Sequence, residues 1–217
     1  MATNTREITT VIFDFGGVLV NDTDPAVFKN ISYKLGVELE VVKSALEKLL
    51  GPYQKGEIEP GEFWNRFSVE VSKRLPMGKD YEGLWNEKYA SESRIDKKML
   101  GLVKILKENG YQLGLLSNTI PDHAQFNRAQ GNFDEFDHVI LSCDKSVGSR
   151  KPEKRIYDIA IQRFSLRKGQ GVFIDDKLEY AEAARDVGLF GIHHVSYEET
   201  VRVLGGLGIR LLGLEES

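Results

Sequence analysis

The chain has 217 residues, 41% of them hydrophobic and 29% charged. That is the size of one domain, or of one domain with an insertion, and it excludes a disordered or collagen-like chain. Its 29 Lys and Arg against 33 Asp and Glu give a net charge of −4, so no extended positive field exists to hold a nucleic-acid backbone or an anionic membrane. An anion must be handled locally. The single cysteine, Cys143, cannot form an intrachain disulfide and reads as a small buried residue. The polar stretch Met1 to Thr10 lacks the apolar core of a secretory signal, and no apolar run approaches the roughly 18 residues of a membrane helix. The expectation is a cytoplasmic protein.

The first element in chain order is Ile8 to Phe13, a β-branched and aromatic run read as a buried strand, which ends at Asp14-Phe15-Gly16-Gly17. Four segments with helical periodicity follow. Their apolar stripes are Val27, Ile31 and Leu35; Val41 to Leu50; Phe63, Phe67, Val71 and Leu75, opened by Pro60; and Tyr81, Leu84, Trp85 and Tyr89. Trp64 and Trp85 fit the core of this bundle. The pattern then alternates between helix and strand. Met99 to Leu106 is a helix, Tyr111 to Leu116 a strand, the segment after Pro121 a helix and His138 to Leu141 a strand. Ile156 to Phe164 is a helix, Gly171 to Ile174 a strand, Asp176 to Val187 a helix and Phe190 to Val195 a strand, and a last helix opens at the capping pair Ser196 and Glu199. This rhythm predicts an α/β fold with a parallel, Rossmann-like sheet of about five strands and helices on both faces. The bundle separates strands one and two by far more than a crossover needs, so it is an inserted module. The reading places a core of residues 1–20 and 95–217 around a helical insertion of residues 21–94. The tail from Gly205 to Ser217 is the least legible stretch.

Ligands of open parallel sheets bind beyond the carboxyl ends of the strands. Strand one delivers Asp14 there, strand two Ser117 and Asn118, and strand four Asp175 and Asp176, while Gly148-Ser149-Arg150-Lys151-Pro152 precedes a helix. Taken singly these are ordinary turn and loop residues, and Asp176 reads equally well as a helix N-cap with Glu179 as its box partner. Taken together, three carboxylates repel one another unless a cation sits among them. Lys151 and one Mg²⁺ balance the charge, and an all-oxygen site with room for a substrate phosphate suits Mg²⁺. Asp14, at a tight strand-to-loop turn, then reads as a nucleophile toward phosphorus. Ser117, Asn118 and the amides of Phe15 and Gly17 read as groups for the phosphoryl oxygens.

Asp14, then Ser117-Asn118, then Gly148-x-x-Lys151-Pro152, then Phe173-Ile174-Asp175-Asp176 with Ala183-Ala184-Arg185-x-x-Gly188, resemble the four ordered motifs of the haloacid dehalogenase-like (HAD) hydrolases. The resemblance covers nearly the whole chain and matches the branch with an α-helical cap. It implies a mobile cap, Mg²⁺ dependence and phosphomonoester hydrolysis of a small phosphorylated metabolite through an aspartyl-phosphate. The metal ligands it implies are Asp14, the Gly16 carbonyl, Asp175 and Asp176, with Lys151 offsetting charge. Tyr53 to Trp64, containing Lys55-Gly56-Glu57-Ile58, is similar to the cap segment that faces the core.

Two departures from that pattern matter. The second aspartate that usually follows the nucleophile, the general acid and base of the family's phosphatases, is Gly16 here. A positioned acid or base is worth roughly 10² to 10⁴ in rate, so its loss favours a good leaving group such as an anomeric sugar phosphate. Asp22, Asp24 and His123 are surrogate candidates, although Asp22 and Asp24 sit in a polar helix start and His123 in a helix expected at the surface. The second departure is Tyr180, where the family often has Asn, and its expected effect is on positioning. Two other readings compete. One is a 2-haloacid dehalogenase, against which the Asp175-Asp176 pair argues. The other is a catalytically impaired module that binds a ligand or a protein through its cap.

Overall fold

The computed structural model describes residues 7–72 and 82–214. Leu75 and Tyr81, counted above in the third and fourth stripes, lie outside them.

Strand β1 (Thr10–Phe13) is buried at every residue. The chain then leaves the sheet for four helices, α1 (Asp24–Leu35), α2 (Leu39–Gln54), α3 (Pro60–Glu70) and α4 (Glu82–Glu92). It returns through α5 (Lys97–Glu108), β2 (Gln112–Ser117), α6 (Pro121–Ala129) and β3 (His138–Leu141). The remaining elements are α7 (Lys154–Arg163), β4 (Gly171–Asp175), α8 (Leu178–Asp186), β5 (Phe190–His193) and α9 (Tyr197–Gly206). The five strands form one sheet in the order β3-β2-β1-β4-β5, and every pairing is parallel. The expected Rossmann-like core with helices on both faces and a helical cap is the fold.

Alternation along β1 explains the two faces. Val11 and Phe13 pack with Met99, Leu102 and Leu106 of α5 and Leu204 of α9, whereas Ile12 packs with Ile156, Tyr157 and Ala160 of α7 and Ala184 of α8. A strand apolar on both sides belongs at the centre of a parallel sheet. The cap has a third core of its own, in which Tyr53, Phe63, Trp64, Phe67, Trp85 and Tyr89 surround one another. Phe63 is its hub, stacked 4.4 Å from Tyr53 and set edge-on to Trp64 and Trp85 at 5.2 and 5.8 Å. Aromatic pairs at such separations each add about 0.5–1.5 kcal/mol beyond the area they bury.

The two chain crossings between core and cap run side by side. Val20 bridges Ile95, Asn21 N–H donates to Arg94 O at 3.2 Å, and Arg94 N–H donates to Asn21 Oδ1 at 2.6 Å. Within the segment likened to the core-facing part of the cap, Lys55 lies 3.6 Å from Glu153, and Glu59 pairs with Lys145 at 2.8 Å.

Some local expectations need correction. The first strand starts at Thr10 rather than Ile8, and the fifth ends at His193, leaving Val195 exposed. The helix expected from Asp176 starts at Leu178, because Asp175 Oδ1 accepts the Lys177 N–H at 2.8 Å and keeps the chain in a loop for two more residues. Asp176 is therefore free of the capping role. The Ser196 pair forms only half a capping box: Ser196 Oγ accepts the Glu199 N–H at 3.2 Å, while the Glu199 carboxylate turns to Arg202. The tail docks rather than fraying at Gly205. Ile209 is buried, and Arg210 N–H donates to the Tyr111 hydroxyl at 2.8 Å.

Candidate active site

The sheet register builds the site. Phe13 lies opposite Leu115 on one side and Ile174 on the other, and Asp14 N–H donates to Ile174 O at 2.8 Å. The residues that follow these positions, Asp14 and Asp175, therefore emerge side by side, with Ser117 at the end of β2 next to them. Lys151 arrives from the β3–α7 loop. Its side chain is fully buried, and its Nζ lies 2.7 Å from Asp14 Oδ1 and 2.6 Å from Asp175 Oδ2. A buried ammonium is tolerated only when paired in this way.

Each neighbour has a definite task. Asn118 Nδ2 donates to Lys151 O at 2.9 Å, and Lys151 N–H donates to Asn118 Oδ1 at 2.8 Å, so Asn118 holds the Lys151 backbone at both ends. The rings of Tyr180 and Phe173 each lie with their centroid 5.3 Å from Lys151 Nζ, which gives Tyr180 a cation–π role in placing the lysine. Phe15 N–H donates to Asp14 Oδ1 at 2.7 Å. The closest approach of Lys151 and the one hydrogen bond to the Asp14 carboxylate among the described residues thus both fall on Oδ1.

The glycine pair divides its labour. Gly17 has φ +78°, and a Cβ there would come within 2.5 Å of the Asp176 carboxylate, so only glycine lets that carboxylate close on the loop. The Gly17 N–H, expected at a phosphoryl oxygen, donates instead to Val20 O at 2.6 Å. Gly16 differs: a Cβ there would meet nothing within 4 Å.

A cavity of about 150 Å³ opens over these groups. Asp14, Phe15, Gly16, Ser117, Asn118, Lys151 and Asp176 line it; Gly17 does not, and Asp175 lies fully buried beneath it. Its far wall holds Asp22 and Asp24 from the hinge side, Gln54 and Tyr89 from the cap, and His123 and Arg150. Gln54 and Arg150 are lining residues that periodicity does not reveal. The expectation of a surface position for His123 is corrected: it is 9% exposed and stacked on Tyr89 at 3.6 Å between ring centroids. Helix α6 is clamped from both sides, since Ile120 enters the cap core and Ala124 the main core. Cys143 is buried as expected, and burial pushes its thiol up to about 11.

The electrostatics of the cluster call for a cation. Carboxylate oxygens of Asp14, Asp175 and Asp176 lie within 4.8 Å of one another. Burial, opposed by Lys151 and reinforced by Asp175, raises the Asp14 carboxyl to about 7. Burial and Asp175 raise Asp176 as well. For Lys151, burial acts to lower the ammonium, and the two carboxylates outweigh it and raise it. Three carboxylates against one ammonium leave an excess of negative charge that a divalent ion neutralises, and an all-oxygen donor set with Asp14 and Asp176 on the cavity wall fits Mg²⁺.

Comparison with known proteins agrees with this geometry. Residues 8–188 match the haloacid dehalogenase-like hydrolase family, and the chain belongs to it. It is 29% identical over 184 residues to sesquiterpene phosphatase astK of Aspergillus oryzae, covering 84% of this chain and 87% of that one. It is 25% identical over 193 residues to D-ribitol-5-phosphate phosphatase of Bacteroides thetaiotaomicron, covering 83% and 89%. The chain spans only 19% and 39% of two longer relatives. In fold it is similar to a HAD-family enzyme of Bacteroides thetaiotaomicron solved as a magnesium complex, with a TM-score of 0.70 at 22% identity over 85% of this chain and 91% of that one. Among the described residues no helix is long and apolar enough to cross a membrane.

Proposed function

We propose that this HAD-like hydrolase is a Mg²⁺-dependent phosphatase of a small phosphorylated metabolite, with Asp14 as the nucleophile. The observation that carries the reading is the split of the Asp14 carboxylate. Oδ1 is held by Lys151 Nζ and the Phe15 N–H, at 2.7 Å each, whereas Oδ2 takes no hydrogen bond among the described residues, and Asp14 lines the cavity. A carboxylate so oriented is prepared for attack on one side only.

Asp14, the Gly16 carbonyl and Asp176 would hold the ion, with Asp175 behind them. Bound there, Mg²⁺ supplies charge neutralisation for the phosphoryl oxygens. Ser117 donates its hydroxyl to a phosphoryl oxygen, and Lys151 favours the ionised form of Asp14 and offsets charge that builds on the transferring group. Attack by Asp14 Oδ2 on phosphorus gives an aspartyl-phosphate, which water then hydrolyses. Asn118 and Tyr180 position Lys151 and stay outside the chemistry.

The substrate class follows from the lining. The cavity is small and polar around Asp24, Gln54, Thr119 and Arg150, which suits a hydroxylated phosphate ester, and two relatives are phosphatases by name. The test is phosphate release from a panel of aryl, anomeric and primary sugar phosphates, with and without Mg²⁺, beside Asp14→Asn. Mg²⁺-dependent release that vanishes in Asp14→Asn supports the reading. Chloride release from a 2-haloacid, or ligand binding without any product, would replace it with a dehalogenase or a binding module.

A further inference from the structure

A phosphatase needs a proton for its leaving alcohol, and Gly16 supplies none. The structure sharpens this gap. Among the described residues a Cβ at Gly16 would meet nothing within 4 Å, and the backbone there is not left-handed, so a side chain could leave the backbone at that point without a clash. A donor must come from another wall of the cavity.

Three lining residues are candidates, and their surroundings separate them. His123 is nine-tenths buried against Tyr89, its Nε2 has no hydrogen-bond partner among the described residues, and burial drives its imidazole down to about 3. It has no proton to cycle near neutrality. Asp22 is engaged in the hinge, where its Oδ1 accepts the Asp24 N–H at 3.0 Å. Asp24, the first residue of α1, lines the cavity, and its carboxylate takes no hydrogen bond or ion pair among the described residues. The charged and titratable groups that act on it are Asp22 on the hinge, Lys177 on the β4–α8 loop and Tyr89 on α4. Asp24 keeps solvent access, yet the crowding of the cleft, and then Asp22, raise its carboxyl to about 6 against the pull of Lys177. A group poised there can both give and take a proton at neutral pH.

Resting on the phosphatase reading above, we infer that Asp24 is the general acid and base of this enzyme, supplied by the first cap helix in place of the residue missing at Gly16. As Asp14 Oδ2 bonds to phosphorus and the bond from phosphorus to the leaving oxygen breaks, the Asp24 carboxyl gives its proton to that oxygen and the alcohol departs. The Asp24 carboxylate then takes a proton from the water that attacks phosphorus. The bond from Asp14 to phosphorus breaks, inorganic phosphate leaves, and both carboxyl groups return to their starting states. Because the nucleophile belongs to the core and Asp24 to the cap side of the Val20–Ile95 crossing, proton donation depends on the cap being in place.

The test compares leaving groups. An activated aryl phosphate leaves without a proton, whereas a primary alkyl or sugar phosphate does not. Asp24→Asn is expected to keep the first-turnover release of the aryl alcohol within about threefold and to lower that of the alkyl alcohol by about 10² to 10⁴, while the shared hydrolysis of the aspartyl-phosphate slows for both. The double variant Asp24→Asn/Gly16→Asp, which places a carboxylate at the glycine position, is expected to recover alkyl turnover. Equal losses in first-turnover alcohol release from both substrates, or no loss on either, would overturn the assignment. Wild-type protein that releases no phosphate even from the aryl ester would remove the phosphatase reading itself, and the assignment with it.

Discussion

Asn118 grips Lys151 by the backbone, giving a hydrogen bond to its carbonyl and taking one from its N–H. The side chain of Lys151 in turn bridges Asp14 and Asp175. The amide just past β2 therefore sets the position of an ammonium that arrives from the β3–α7 loop. Asn118→Ala leaves both backbone groups unpaired in a half-buried loop and frees the lysine to shift. A misplacement of about 1 Å in a catalytic array costs on the order of 10²-fold in rate, and that is the predicted fall in kcat/KM. In a Lys151→Met background the same change should have no further effect on kcat, because residues that act as a unit are not additive.

Gly17 permits the close approach of Asp176 in the proposed metal site. Gly17→Ala adds a methyl group within 2.5 Å of the Asp176 carboxylate at a backbone φ of +78°. Displaced metal-site neighbours cost about 10- to 100-fold in affinity, and calorimetric titration of Mg²⁺ should show a weakening of that size. Gly16→Ala, with nothing within 4 Å, should bind Mg²⁺ as the wild type does.

His123 predicts a pH dependence of stability. Burial lowers its imidazole from 6.5 to about 3 in the folded state. The unfolded chain therefore binds a proton that the folded one refuses. The neutral ring contributes its full stability above pH 6.5, and that contribution is lost as pH falls through 6.5 toward about 3. The slope approaches about 1.4 kcal/mol per pH unit for one proton. Urea unfolding between about pH 7 and about pH 4 should show it, and His123→Phe, which keeps the stack on Tyr89, should flatten the curve by that amount.

Much of this molecule is legible in its sequence, for a physical reason. The strands are buried on both faces and end in polar residues, so runs such as Val11 to Phe13 followed by Asp14, or Val172 to Ile174 followed by Asp175 and Asp176, announce both the sheet and its active end. The ordered motifs then supply Ser117 and Lys151. Contacts made across the fold are not legible. Asn118 reads as turn chemistry or as a group for the phosphoryl oxygens until its partner, 33 residues away, is known. Tyr180 reads as a departure from a pattern until its ring is found beside Lys151. His123 follows Pro121 in a polar helix, and only the clamp of α6 between two cores buries it. The late start of α8 has the same origin, since the Asp175 side chain competes locally for the Lys177 N–H.

The central claim is that Asp14 carries the phosphoryl group, and acid-quenched mass spectrometry of the enzyme during turnover of an aryl phosphate tests it most directly. The account predicts a phosphoryl adduct on the peptide containing Asp14 that requires Mg²⁺ and is absent from Asp14→Asn. Phosphate release that continues undiminished in Asp14→Asn, with no adduct on the wild-type chain, would contradict it.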